Sequence, residues 1–295
     1  MRILFATDGQ PPARRAQKVL EKIGRRSGHT VRVMSVAGVS DDVPVLEDRT
    51  RNRIDEARQV SELATGDLRN EGFDADSFTR PGSPAAEILK AIDEFQIDLT
   101  ILGAGHRTWL GNLILGSVGT HVLHSSPTSV LIVHEWFQEP ATGRVLVGTD
   151  GSSYSQRATE LFARFADPGR CNVTVVAVAP NAQSTLVRHP ALAPTYEPFD
   201  QHRQEEVIEW AEGHGTRATE MLQKAGFEAS SATSVGSAAN VLLKEADSRR
   251  TDLVVVGSRG LGPVERTALG SVSDNVARHA AAALVARGTA ASPLG

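Results

Sequence analysis

The chain has 295 residues, of which 40% are hydrophobic, and its 31 basic and 35 acidic side chains leave a formal charge of −4. That length and apolar content suit two domains, each long enough to bury a core of its own. The charges are interspersed, so neither a basic nucleic-acid face nor an acidic tail stands out, and apolar runs such as 129–133 fall far short of the about 20 residues that a membrane span needs.

In chain order, an apolar strand pattern begins at Ile3 with no charged leader or cleavage site ahead of it, which predicts no signal peptide and a cytoplasmic protein. Short apolar, β-branched runs then alternate with stretches of helical spacing. The runs read as strands are Arg2 to Ala6, Thr30 to Val36, Asp74 to Thr79, Leu99 to Leu102 and Ser129 to His134. Their continuous apolar character fits parallel strands covered on both faces. A short linker with Pro140 and Gly143 occupies 138–143. The same order then returns with Arg144 to Gly148, Asn172 to Ala179, Glu228 to Thr233, Leu253 to Val256 and a weaker Ala283 to Arg287. Cys171, the single cysteine, has no partner for an internal disulfide and reads as a small apolar filler.

The recurrence extends to sequence. Residues 3–9, Ile-Leu-Phe-Ala-Thr-Asp-Gly, return at 145–151 as Val-Leu-Val-Gly-Thr-Asp-Gly. Asp8 and Asp150 lie 142 residues apart, as do Val36 and Val178, whereas Gly103 and Gly257, and Gly116 and Gly270, lie 154 apart. Twelve residues are therefore inserted in the second copy. The proline-bearing stretch from Pro180 to Gln204 is the place for them, either as a lid or interaction surface or as a tolerated surface insertion. The repeat divides the chain into a domain at 1–137, the linker, a domain at 144–288 and a tail at 289–295.

In an open parallel sheet, ligands bind beyond the carboxyl ends of the strands, where the strand order reverses. Two turns of the second copy occupy such ends, Asp150-Gly151-Ser152-Ser153 and Gly257-Ser258-Arg259-Gly260. Nine residues after Gly260 comes Gly270-Ser271-Val272-Ser273, opening a helical stretch. Glycines admit a ligand close to the backbone, and a helix start offers unpaired N–H groups to phosphate. Ser271 and Asp274 have capping-box spacing, although the same hydroxyl suits a phosphate oxygen equally.

The pattern Gly257-x2-Gly260-x9-Gly270-Ser271, with Thr149-Asp150 after the first strand, resembles the nucleotide-binding signature of the universal stress proteins, and the likeness covers nearly the whole chain as a tandem pair. The resemblance implies α/β architecture: two doubly wound domains, each a five-stranded parallel sheet in the order 3-2-1-4-5 with helices on both faces. It also implies ATP or a related adenine nucleotide, with any Mg²⁺ arriving on the nucleotide and no metal site in the protein. Main-chain groups of Val178 would hold the base and Asp150 would lie near the ribose. Gly260, Gly270, Ser271 and Ser273 would meet the phosphates, with Gly148, Thr149, Gly257 and Val272 completing the site. In the first copy, Asp8, Val36, Gly103, Gly116 and Ser117 frame a degenerate counterpart, for His106 replaces the second glycine and Gly119 replaces Ser273. An imidazole there obstructs a phosphate by bulk unless it turns outward and donates to it. Arg107 beside it offers a phosphate contact or a solvated loop charge.

No hydrolase, zinc-protease or phosphate-loop motif is present, and the histidines lack metal-ligand spacing, so at most slow ATP hydrolysis is expected. Two classes of function remain. One is a nucleotide-responsive stress regulator whose main site is the second domain; the other is an interaction module that engages a protein partner without nucleotide. Because the family commonly dimerises through last strands, the tandem chain is expected to pair its own halves, with further homo-oligomerisation left open. Ala281 and Ala283 stand where the family usually has prolines, which predicts an imperfect far edge.

Overall fold

The computed structural model describes residues 1–25, 27–38, 47–105, 115–138, 143–180, 201–260 and 269–288. His106, Arg107, the Pro180–Gln204 insertion between 181 and 200, the linker between 139 and 142 and the tail at 289–295 lie outside the described residues.

The first half runs β1 (Arg2–Ala6), α1 (Pro11–Ile23), β2 (Thr30–Gly38), α2 (Glu47–Asn70), β3 (Asp74–Gly82), α3 (Pro84–Glu94), β4 (Leu99–Ala104), α4 (Ser117–Ser125) and β5 (Ser129–His134). The second runs β6 (Arg144–Thr149), α5 (Ser153–Phe165), β7 (Asn172–Ala179), α6 (Gln201–Lys224), β8 (Glu228–Val235), α7 (Ala238–Ser248), β9 (Leu253–Gly257), α8 (Ser271–His279) and β10 (Ala282–Ala286). One sheet holds them all, in the order β3-β2-β1-β4-β5-β10-β9-β6-β7-β8. Each half is thus ordered 3-2-1-4-5 and is parallel within itself.

The alternation along each central strand distributes side chains to two cores. Ile3 and Phe5 of β1 join Val19, Leu20 and Leu68 from α1 and α2 on one face, and Leu4 and Ala6 join Ile88, Ile92 and Val122 from α3 and α4 on the other. Both faces being covered is what makes these strands read as unbroken apolar runs. Both cores continue into the second half, with Phe162, Phe165 and Leu222 on the first face and Leu242 and Val276 on the second.

The halves meet where β5 and β10 pair antiparallel, with Ala282, Ala283, Leu284 and Val285 opposite Val133, Ile132, Leu131 and Val130. The alanines set small side chains against β-branched ones. β10 begins one residue before the expected place, with Ala282 paired to Val133, and ends one residue before it because Arg287 leaves the ladder, its guanidinium donating to the Leu123 and His124 carbonyls at 2.7 and 3.2 Å. Elsewhere along the seam, Arg25 N–H donates to Phe165 O at 2.9 Å and Asp167 N–H to Ile23 O at 2.8 Å, while His124 lies 3.1 Å from Asp274. Among the described residues no helix is long and apolar enough to cross a membrane.

Candidate functional site

The turn after β6 is built by local hydrogen bonds. Gly151 has φ +75°, a left-handed conformation that favours glycine. Asp150 Oδ1 accepts the Ser152 N–H at 3.0 Å, and Ser152 caps α5 by accepting the Ser155 N–H at 3.2 Å. Thr149 Oγ1 accepts the Gly151 N–H at 3.3 Å and donates to Ser155 Oγ at 3.2 Å. These bonds hold the Asp150 carboxylate at the carboxyl end of the sheet. On the turn's other side the His214 ring of α6 lies against Gly151. Its pKa is lowered by partial burial and then by Arg217, while Asp150 acts in the opposite sense.

The loop after β9 approaches this turn at two glycines for two different reasons. A β-carbon on Gly257 would come within 2.6 Å of the Tyr154 carbonyl carbon and 2.9 Å of the Ser155 nitrogen, so this glycine lets β9 pass the start of α5. Gly103 meets the Pro12–Ala13 backbone in the same way, and its recurrence in both copies follows from packing alone. A β-carbon on Gly260 would instead collide with Asp150 Oδ2, so here glycine is demanded by a side chain of the site.

The far end of this loop is tied back. Gly270 N–H donates to Ser258 O at 2.8 Å, and the buried Ser273 hydroxyl reaches both Ser258 O and Gly270 O at 2.9 Å. Ser273 therefore pins the loop to the helix start. The capping box does not form: Gly270 is the cap residue, without a side-chain bond, and exposed Ser271 is the first helical residue. Asp274 N–H donates to Gly270 O at 2.9 Å, and the Asp274 carboxylate is drawn to Arg278 at 2.8 Å and to His124 across the seam at 3.1 Å.

All ten residues expected in the second domain, Gly148, Thr149, Asp150, Val178, Gly257, Gly260, Gly270, Ser271, Val272 and Ser273, line one cavity of about 280 Å³. Ser155, Val176, Ala238, Leu242, Val256 and Arg259 line it as well. Arg259 lies inside the glycine motif and was open to recognition there. Ala238 and Leu242 come from α7, whose orientation over the sheet is a tertiary property. A β-carbon on Gly148 would stand 2.9 Å from Leu242 Cδ1, so glycine here lets Leu242 pack down onto β6 at the cavity floor.

The first half is arranged otherwise. Asp8, Gly103, Gly116 and Ser117 line a larger cavity of about 790 Å³, but Val36 does not; its other walls include Arg15, Glu135 and Trp136, on the β5 side. The repeat sets Ala6, Met34 and Leu102 where the second half has Gly148, Val176 and Val256. Each is larger than its counterpart, and none of the three lines the first-half cavity. Among the described residues no cluster of His, Cys, Asp or Glu is fit to hold a metal ion. Cys171 is buried, and burial followed by the nearby Asp167 and Asp252 pushes its thiol up to about 12, consistent with a filler.

A sequence model of the universal stress protein family matches residues 1–134 and again 142–286. A universal stress protein of Mycolicibacterium smegmatis is 29% identical over 79% of this chain and 75% of its own length. One from Mycobacterium tuberculosis H37Rv is 30% identical over 79% of this chain and 74% of its own. Among solved structures, a universal stress protein from Archaeoglobus fulgidus shares the fold at a TM-score of 0.66 and 21% identity, with 97% of this chain and 98% of that one covered.

Proposed function

This chain belongs to the universal stress protein family, in tandem form, and on that premise we propose that it is an adenine-nucleotide-binding regulator of a stress response whose nucleotide site is in the second domain. The observation that carries this reading is the meeting of the ten second-domain residues on one cavity, whereas the first-domain cavity is reached by neither Val36 nor Ala6, Met34 and Leu102. The cavity suits a nucleotide in two respects. Gly148, Gly260 and Gly270 line it without a side chain of their own, and the start of α8, which also lines it, offers main-chain N–H groups that favour phosphate.

In this reading Val178 and the apolar wall of Val176, Leu242 and Val256 take the base, Asp150 accepts from the ribose hydroxyls, and the Gly260 and Gly270–Ser271 backbones meet the phosphates. Ser271, outside any capping bond, has its hydroxyl available for a phosphate oxygen. Bound nucleotide would bring its own Mg²⁺. In the first domain, Ala6, Met34 and Leu102 exclude a base from the matching place whatever the orientation of His106.

A ligand that binds only the folded chain raises its unfolding temperature by mass action. The full chain titrated with Mg-ATP is expected to melt at progressively higher temperature, and the Gly260→Val variant is not. An unmoved melting curve for the wild type up to millimolar Mg-ATP, with the fold intact, would sink the reading and direct attention to protein partners.

A further inference from the structure

The second-domain cavity is lined among the described residues by a single basic side chain, Arg259, and a single acidic one, Asp150, on either side of Gly260. Arg259 is held from the α5 side. Its Nη1 donates to the Tyr154 hydroxyl at 3.1 Å, and its guanidinium carbon lies 5.5 Å from the centroid of the Tyr154 ring, within cation–π range. Arg157 lies 5.8 Å from the same ring. A fourth member of this cluster, Arg287, is half-buried beyond Arg259. Its pKa is lowered, first by burial and then by the Arg259 charge. Of these three arginines only Arg259 lines the cavity, so it is the guanidinium placed to meet an anionic ligand there.

The repeat supplies an internal comparison. The counterparts of Tyr154 and Arg259 are Pro12 and Gly105, and a β-carbon on Gly105 would stand 2.7 Å from Pro12 Cγ. The hydroxyl and guanidinium therefore belong to the second copy alone. Where the second copy has Arg259, the first has Glu135 Oε2 within 3.5 Å of the Gly105 position, a carboxylate facing its cavity. The first cavity thus carries Glu135 together with Arg15, whereas Arg259 is the basic residue among the described lining of the second.

We infer that Arg259 is the specificity-determining residue of the second-domain site, selecting nucleoside polyphosphates over the uncharged nucleoside, and that Tyr154 is a positioning residue for it. The inference rests on the nucleotide reading above. The chemistry is a charge-assisted hydrogen bond from a planar donor to phosphate oxygens, which are absent from adenosine, so its effect appears in the ratio of affinities for the two ligands.

The test is titration of the full chain with ATP, ADP, AMP and adenosine at constant Mg²⁺. Arg259→Gln should lower the ATP-to-adenosine affinity ratio about tenfold or more, Arg259→Lys should retain much of it, and Tyr154→Phe should lower it less than Arg259→Gln does. A ratio unchanged in Arg259→Gln, with ATP still bound, overturns the inference while leaving the nucleotide reading in place. Wild-type protein that binds none of the four ligands overturns that reading and the inference with it. Should Arg259→Gln fail to fold, salt serves the same purpose on the wild type. ATP affinity should then fall between about 50 and 300 mM salt while adenosine affinity holds, and parallel behaviour of the two overturns the inference.

Discussion

Replacing Gly260 by alanine adds one methyl group and puts it against Asp150 Oδ2. Gly260 is not among the glycines of positive φ, so alanine meets no backbone penalty and the effect isolates the collision. To make room the carboxylate must swing away and surrender its bond from the Ser152 N–H, now 3.0 Å long. A hydrogen bond to a charged group contributes about 1.5–3 kcal/mol, reduced here to about 1–2 kcal/mol because the Asp150 turn is only part-buried. With an unfolding entropy of about 2.1 cal/mol/K per residue, and the two halves unfolding together, the melting temperature falls by about 2–3 °C. Nucleotide affinity should suffer more, by about tenfold, because both the ribose acceptor and the phosphate-facing backbone shift. Calorimetry gives the first quantity and titration with Mg-ATP the second. The collision is pairwise, so in an Asp150→Gly background the same alanine should cost almost nothing in stability. An equal stability loss in both backgrounds, or a Gly260→Ala protein that binds ATP within about twofold of wild type, would refute the reasoning.

Other consequences follow from the seam and the loop. Leu284, fully buried opposite Leu131 where the two halves of the sheet join, should cost about 2–5 kcal/mol as alanine, and since both cores run across the seam the calorimetric transition should stay single; two transitions, with only the later half displaced, would contradict a continuous core. Ser273→Ala removes the hydroxyl that ties Ser258 O to Gly270 O, so stability should fall by about 1 kcal/mol and ATP affinity a few-fold, whereas unchanged affinity in a folded variant would show that the tie does not shape the site. His134, buried at the seam, directs Nε2 to Ala277 O at 2.7 Å and leaves Nδ1 without a partner, and burial first, then His279, lowers its pKa below 6.5. The unfolded chain then takes up the proton first, so stability should be full above about pH 6.5 and decline below it until the folded-state pKa is passed. Denaturant midpoints between about pH 7.5 and 5 should show that decline weakened in His134→Gln, and an identical profile in the two proteins would remove His134 from the account.

How much of this was open to sequence reading depended on where each residue's environment was decided. β1, β5 and β7 were legible to the residue because strands buried on both faces carry their environment in their own composition. β2, β3 and β8 extend two or three residues past their apolar runs, into Ala37–Gly38, Arg80–Gly82 and Ser234–Val235, because the ladders with their neighbours continue there irrespective of polarity. The residues around the cavity were accessible through the glycine spacing of the second copy and its resemblance to a known signature, with Gly257 and Gly270 recurring as Gly103 and Gly116 in the first. What each does was less accessible. Ser271 and Asp274 have the spacing of a capping box, but the helix begins one residue earlier than that spacing assumes, with Gly270 as the cap, and Asp274 accepts instead from Arg278. Likewise, Ala6 and Met34 are unremarkable strand residues until the strand faces are assigned, and only then do they appear on the side where the second copy keeps its recess.

The most direct measurement on the central claim is the stoichiometry of Mg-ATP binding to the nucleotide-free full chain. The account expects about one nucleotide per chain, lost in Gly260→Val and retained when Met34 or Asp8 of the first domain is replaced. Two equivalent sites per chain, or a single site that survives Gly260→Val and disappears with the first-domain changes, would contradict it.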